Sequence, residues 1–301
     1  MLNDQSAKRH LAMLATAFGP VVRQLLEDKN IIEIMLNPDG KLWAESLIKG
    51  KFFTDTLIDP AQSANIIKLA ATAKQMIADE NNPEISTELP GSGERFQGWL
   101  PPVVTNPTFT IRKQATRVFS LDDYLAAKSI DSDQVRALRD AIKMRKNILI
   151  AGGTGSGKTT FANALLHELK DSKDRIIVLE DLPELQVLAE DLVTLKTCAQ
   201  KTMRDLVRGI LRMRPDRIII GEVRDAAALE LLKAWNTGHP GGICTIHANS
   251  PEATIARLED LIHEAVSVVP TRLIKEAIDI IVFMRRDNKV GYKVDKIEYY
   301  N

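Results

Sequence analysis

The sequence predicts a two-part α/β chain: a small α+β domain over residues 1–115, a linker over 116–134, and an α/β domain with a parallel sheet over 135–301. Three observations carry this reading. The chain has 301 residues, more than one typical domain needs. Beyond Asp133, buried strand-like runs at Asn147 to Ile150, Arg175 to Leu179, Arg217 to Ile220 and Gly242 to Ile246 alternate with helical stretches, as in a parallel sheet covered on both faces. The first 115 residues mix short strands and helices without that alternation.

In chain order, Lys8-Arg9-His10 and the apolar stretch Leu11 to Val22 imitate a secretory signal. Yet Leu11, Leu14, Phe18, Val21, Val22 and Leu25 recur at helical spacing and charge resumes at Arg23, which favours a packed amphipathic helix. Asn37-Pro38-Asp39-Gly40 is turn chemistry between the strand candidates Ile31 to Leu36 and Lys41 to Trp43. Ala61 to Ala78 reads as a helix with Ile66, Ile67, Ala70, Ala73 and Ile77 on one face. Leu89 to Gly93 reads as a turn between strand-like segments, and Thr108 to Arg112 as a further strand. The linker carries a short helix, Leu121 to Lys128. At the C-terminal end, Ile278 to Phe283 and Tyr292 to Tyr299 read as strands joined at Asp287-Asn288-Lys289.

Composition removes several classes of protein. Forty Lys+Arg balance forty Asp+Glu, and 45% of residues are hydrophobic, so a disordered polyelectrolyte is excluded. Balanced charge also argues against a surface built throughout to hold nucleic acid. Two cysteines, Cys198 and Cys244, cannot build a disulfide framework or a four-cysteine zinc site. The simplest setting for them is a reducing cytoplasm. His239, His247 and His263 lack zinc-ligand spacing. No apolar run approaches the ~18–20 residues of a membrane span.

The most specific chemical signal is Gly152-Gly153-Thr154-Gly155-Ser156-Gly157-Lys158-Thr159, a GxxxxGK[ST] motif between a predicted strand and a predicted helix. Glycines let successive backbone amides converge on phosphate oxygens, and the helix N-terminus adds a favourable dipole. The motif predicts nucleotide contact through Gly153, Thr154, Gly155, Ser156, Gly157, Lys158, Thr159 and Thr160, with Lys158 on the β- and γ-phosphates and the Thr159 hydroxyl on Mg²⁺. Two acidic segments follow later strands: Glu180-Asp181-Leu182-Pro183-Glu184 and Gly221-Glu222-Val223-Arg224. Acids often cap strands and helices, but parallel sheets also place functional groups at these ends.

These segments and the run Gly241-Gly242-Ile243-Cys244-Thr245-Ile246-His247-Ala248-Asn249-Ser250 fall in one order. They resemble the Walker A, Asp, Walker B and His boxes of the secretion-ATPase superfamily, and in particular its TrbB-type conjugal transfer ATPases. Glu33 to Trp43 and Ala234 to His239 share in the likeness, which covers nearly the whole chain. The resemblance implies a RecA-like P-loop domain, ATP and Mg²⁺ as ligands, and ATP hydrolysis. It implies Glu222 at the Mg²⁺/water site, Glu180 nearby, and Glu184 as favoured base, with the division among the three left open. His247, which alone would read as a packing residue, becomes a γ-phosphate sensor or interface group. Arg95 and Arg112, otherwise ordinary strand-end arginines, become the N-terminal-domain groups that approach nucleotide, making it a clamp between domains. Arg204, Arg208, Arg212 and Arg214 stay open between a charged face and an interface or nucleotide contact.

The same resemblance implies a homo-oligomer, a hexameric ring, cytoplasmic and peripheral at the inner membrane. Its partners would be inner-membrane components of a type IV secretion or conjugation machine, and its work would energise pilus assembly and DNA or protein transfer. A pilus-retraction motor, a DNA-translocating or helicase-type motor, and a non-catalytic nucleotide-gated scaffold are the alternatives. Direct nucleic-acid binding stays open.

Overall fold

The computed structural model describes residues 4–46, 50–113, 118–287 and 291–300. The chain divides into two compact units, Met1–Arg117 and Val118–Asn301.

The first unit runs α1 (Asp4–Glu27), β1 (Ile31–Leu36), β2 (Lys41–Ser46), β3 (Gly50–Leu57), α2 (Pro60–Ala73), β4 (Glu84–Glu88), β5 (Arg95–Trp99) and β6 (Thr108–Arg112). Its six strands form one antiparallel sheet in the order β3-β2-β1-β6-β5-β4. The N-terminal stretch is a packed helix: Leu14, Phe18 and Val22 are buried with Ile34, Ile66, Ile67, Phe96 and Phe109 in a single core. Pro20 lacks an amide hydrogen and Gly19 takes φ 72°, so α1 kinks there. Helix α2 starts where Asp59 caps the amides of Ala61 and Gln62, with Pro60 in the first turn. It stops at Ala73, short of the predicted Ala78, and Ile77 is exposed because Gln75 has already left helical geometry at φ 60°. The edge strand β3 was not anticipated, since its burial lacks clean alternation.

The second unit runs α3 (Leu121–Ala126), α4 (Ser132–Lys143), β7 (Ile148–Gly152), α5 (Lys158–His167), β8 (Ile176–Glu180), β9 (Leu192–Lys196), α6 (Met203–Ile210), β10 (Arg217–Val223), α7 (Ala227–Asn236), β11 (Ile243–His247), α8 (Ala253–His263), α9 (Thr271–Ala277), β12 (Ile280–Asp287) and β13 (Gly291–Tyr299). Its sheet has the order β13-β12-β7-β11-β10-β8-β9, parallel throughout except for the antiparallel β12–β13 pair. Alternate residues of the apolar strands enter two cores. Leu149, Ile177, Ile220 and Cys244 pack toward α6, α7, α8 and α9, whereas Ile148, Ile150, Val178 and Ile219 pack toward α3, α4 and α5. The sheet is thus covered on both faces, as its apolar runs predict. Edge strand β9 was not anticipated; its mixed burial gives it no apolar run.

The segment read as a linker differs from that reading. From Val118 it belongs to the second unit, where Leu121, Tyr124 and Ile130 are buried. Ser120 and Asp131 close capping boxes on α3 and α4 and so order it locally. Residues 116 and 117 lie outside the described residues, as do Asn288 and Lys289 of the predicted C-terminal turn.

Candidate nucleotide site

The glycine-rich motif joins β7 to α5. Gly152 takes φ 155° and Gly157, the N-cap of α5, takes φ 88°, both in the region that favours glycine. A side chain at Gly152 would run into the Met284 carbonyl of β12 and the Ser156 hydroxyl. By contrast, a Cβ at Gly153 or Gly155 would meet no atom within 4 Å, so the outer side of the loop is open. Ser156 is 4% exposed and its hydroxyl has no hydrogen-bond partner among the described residues. An open, glycine-lined loop with a buried unpaired hydroxyl suits a phosphate chain. Thr154 lies exposed, and Thr159 and Thr160 are half-buried in the first turn of α5.

Lys158 is 7% exposed, and its Nζ donates to the carbonyls of Gly152 and Gly153, both at 2.9 Å. It also stands 3.3 Å from Nδ1 of His247. This meeting follows from register, because β11 pairs with β7 so that His247 lies opposite Gly152. An ammonium can only donate, so Nδ1 must accept and the ring proton belongs on Nε2. That nitrogen is 2.8 Å from Oε1 of Glu222. The other carboxylate oxygen of Glu222 accepts from Nε and Nη2 of Arg224 at 2.6 and 2.5 Å. Lys158, His247, Glu222 and Arg224 therefore stand in one row of polar neighbours, in which Oε1 of Glu222 lies close to the ring nitrogen without a hydrogen bond of good geometry.

The position of Glu222 has a local cause. Between Ile220 and Val223, β10 carries one more residue than its partner β11, a bulge that re-aims the side chains after it. The Thr245 hydroxyl braces it by donating to the Gly221 carbonyl at 2.6 Å. Beside Glu222 opens a cavity of about 270 Å³, also lined by Asp181, Cys198, Lys201 and Arg224.

Glu180 ends β8 at 2% exposure, and its Oε1 accepts from the amides of Glu184 and Leu185, both at 2.8 Å. It thereby shapes the loop that carries the half-buried Glu184. Asn163 of α5, 2% exposed, ties the same loop to the P-loop helix: its Nδ2 donates to the Glu184 carbonyl at 3.1 Å and its Oδ1 accepts from the Gln186 amide at 2.8 Å. Asn163 escaped the sequence reading, although a polar residue four after Thr159 on an otherwise apolar helix was a usable signal. Arg224 is visible in its motif, but spacing alone gives it no role.

In the first unit, the two arginines named from sequence are direct cross-strand neighbours, Arg95 of β5 opposite Arg112 of β6. Glu88 lies opposite Arg95 on the other side, and Glu33 opposite Arg112. The result is a row Glu88–Arg95–Arg112–Glu33 across four strands, its side chains on one face. Burial raises the pKa of Glu33 against the opposing pull of Arg112. Among the arginines of the α6 region, Arg204 and Arg208 pair with Glu230 of α7, at 3.4 and 2.7 Å, which gives those two a structural partner.

A glycine-rich loop between a parallel strand and a helix, a lysine at its base and a glutamate on the neighbouring strands define the class: a P-loop ATPase of RecA-like fold. The chain belongs to the type II/IV secretion system protein family, whose model matches residues 19–290. It is 46% identical over 299 residues to the conjugal transfer protein TrbB of Rhizobium radiobacter, covering 99% of this chain and 92% of that protein. It is 35% identical to the type IV secretion system protein VirB11 of Bartonella henselae over 300 residues, covering 85% and 82%. Among solved structures, the VirB11 ATPase of Brucella suis aligns with TM-score 0.53 at 27% identity, covering 98% and 97% of the two chains. The DotB ATPase of Legionella pneumophila aligns with TM-score 0.68 at 22% identity over 95% and 83%, a likeness of fold.

Proposed function

We propose that this protein is the ATP-driven motor of a conjugative type IV secretion machine, working as a hexameric ring peripheral to the inner membrane to energise pilus assembly and substrate transfer. The observation that carries the site is the polar row Lys158–His247–Glu222–Arg224 beside an open glycine loop. ATP binds with its phosphates on the amides of Gly153 to Thr160, and Lys158 exchanges its two loop carbonyls for phosphate oxygens. The Thr159 hydroxyl and Glu222, with Glu180 as a further carboxylate, are the groups that would hold Mg²⁺, and the ion would supply charge neutralisation on the phosphates. Glu184 orients the attacking water and accepts its hydrogen bond, while Glu180 holds the loop that positions it. His247, already standing between Lys158 and Glu222, reports whether a γ-phosphate is present. Arg95 and Arg112 are the phosphate-binding groups that the family likeness implies in the first unit; two guanidinium groups opposed across strands repel one another, which an anion beside them would relieve.

The membrane location and the partners there rest on the family likeness. No helix among the described residues is long and apolar enough to cross a membrane.

The test is phosphate release by Lys158→Ala and Glu222→Gln. Lys158→Ala should lose about 100- to 1000-fold in turnover with unchanged circular dichroism, the loss expected when one transition-state donor is removed. Glu222→Gln should keep nucleotide binding and lose turnover. Wild-type hydrolysis in Lys158→Ala would sink the assignment. Sedimentation with nucleotide checks the ring, and a monomer under every condition refutes it. Strong, salt-sensitive DNA binding with DNA-stimulated hydrolysis would favour the DNA-motor reading instead.

A further inference from the structure

Aromatic rings from outside the glycine loop gather at the start of α5. Tyr124 of α3 packs edge-on against Phe161 of α5, with ring centroids 5.2 Å apart. Phe119, just before α3, packs edge-on against Tyr124 at 6.3 Å. Tyr292 of β13 lies flush on the loop itself: a Cβ on Gly157 would come within 2.7 Å of its ring. Burial, and secondarily the charge of the Tyr292 phenol, pushes the pKa of the Tyr124 phenol up. Tyr124 is 5% exposed and its hydroxyl has no hydrogen-bond partner among the described residues. Phe119 and Tyr292 are only half-buried and keep accessible surface.

The sheet order says what this surface faces. Strand β7, which leads into the loop, has two neighbours, β11 and β12. The β11 side is taken by His247 and, through it, Glu222. On the other side of the loop, β12 and β13 present Tyr292. Tyr292 packs against the adjoining core and still keeps part of its ring accessible, in contact with the last glycine before the lysine.

We propose that Tyr292 and Phe119 form the wall on which the base of the bound nucleotide packs, with Tyr124 bracing them, and that this wall favours purine over pyrimidine triphosphates through the larger stacked area. The proposal rests on the P-loop reading above, and its test separates the two. Binding of Mg·ATP, Mg·CTP and Mg·tripolyphosphate is measured on the full chain for wild type, Tyr292→Leu, Tyr292→Phe, Phe119→Leu and Lys158→Ala. Losing one stacked base contact corresponds to about a tenfold weakening. Tyr292→Leu should therefore bind ATP about tenfold more weakly and lose the preference for ATP over CTP, with tripolyphosphate affinity unchanged. Tyr292→Phe should keep wild-type ATP affinity, and Phe119→Leu should weaken ATP in the same selective way.

Unchanged ATP affinity in Tyr292→Leu overturns the proposal. So does an equal fall for ATP and tripolyphosphate, which would mean that Tyr292 only supports the loop through Gly157. If Tyr292→Leu fails to fold, the same two outcomes are read from Phe119→Leu. Lys158→Ala binding ATP and tripolyphosphate as wild type does would instead refute the P-loop reading beneath.

Discussion

The two sheets of this molecule hide their residues in opposite ways. In the first unit, β2 runs exposed, buried, half-buried, buried along its length, while in the second, all five residues of β7 and of β8 are buried. A sheet covered on one face can carry charge across its middle, and the row Glu88–Arg95–Arg112–Glu33 does so. A sheet covered on both faces has no polar face to offer, so Lys158, Glu180, Glu222 and His247 all stand at or just past the C-terminal ends of their strands. The exception in the second unit is Arg217, buried at the start of β10 and bound at 2.5 Å to Asp174.

That exception gives the largest expected effect. Arg217 also donates to the carbonyls of Gly241 and Ile142, so it is locked in place, and Asp174 carries its counter-charge. Asp174→Asn leaves the guanidinium buried without that charge and should destabilise the second unit by about 3–5 kcal/mol, read from denaturant melts. Burial alone would raise the pKa of Asp174, but the hydrogen bond and charge of Arg217, with Arg145, bring it below the usual carboxylate range. A lowered folded pKa means that this stabilisation is complete above the ordinary aspartate value and is lost as pH falls through the lowered one. Acid unfolding of Asp174→Asn should lack that step. A loss under 1 kcal/mol would show that the buried charge is hydrated or otherwise compensated.

The same contrast explains what could be read from sequence. Strands β7, β8, β10 and β11 announced themselves as unbroken apolar runs, because each is buried on both faces. The edge strands β3 and β9 gave no such signal, since exposed and half-buried residues alternate irregularly along them. The glycine loop was legible because its chemistry is contiguous in the chain. The nearness of His247 to Glu222 was not: it depends on the register of β11 against β7 and on one extra residue in β10, neither of which leaves a mark on local spacing. Asn163 joins two segments 21 and 23 residues apart at its two contacts, through a loop whose path no periodicity fixes. Ile77 was placed on a helical face by spacing alone, yet the backbone turns away at Gln75 before reaching it.

A smaller effect is expected on the one-faced sheet. If the arginine row serves phosphates, Arg95→Ala and Arg112→Ala should each lower the hydrolysis rate by about tenfold or more, the loss of one hydrogen bond to a charged group. The double variant should lose less than the product of the two, because neighbours in contact do not act independently. Thermal stability should change little in each single variant, since each relieves a like-charged pair but also takes the arginine away from the glutamate opposite it. A fall in stability with unchanged hydrolysis would instead make the row a structural feature of the first unit.

The smallest effect tests whether the two units melt as separate bodies. Asp59 lies exposed at the start of α2 and accepts from the amides of Ala61 and Gln62, both at 2.9 Å. Those amides have no partner within the helix, so Asp59→Ala leaves them to water and should cost the first unit about 1 kcal/mol. The substitution touches neither the glycine loop nor the arginine row, and hydrolysis at 25 °C should match wild type. In calorimetry, a first transition lowered by a few degrees beside an unmoved second one is expected from two independent cores. If both transitions shift together, the two units share one cooperative unfolding step, and a change on either sheet is felt across the whole chain.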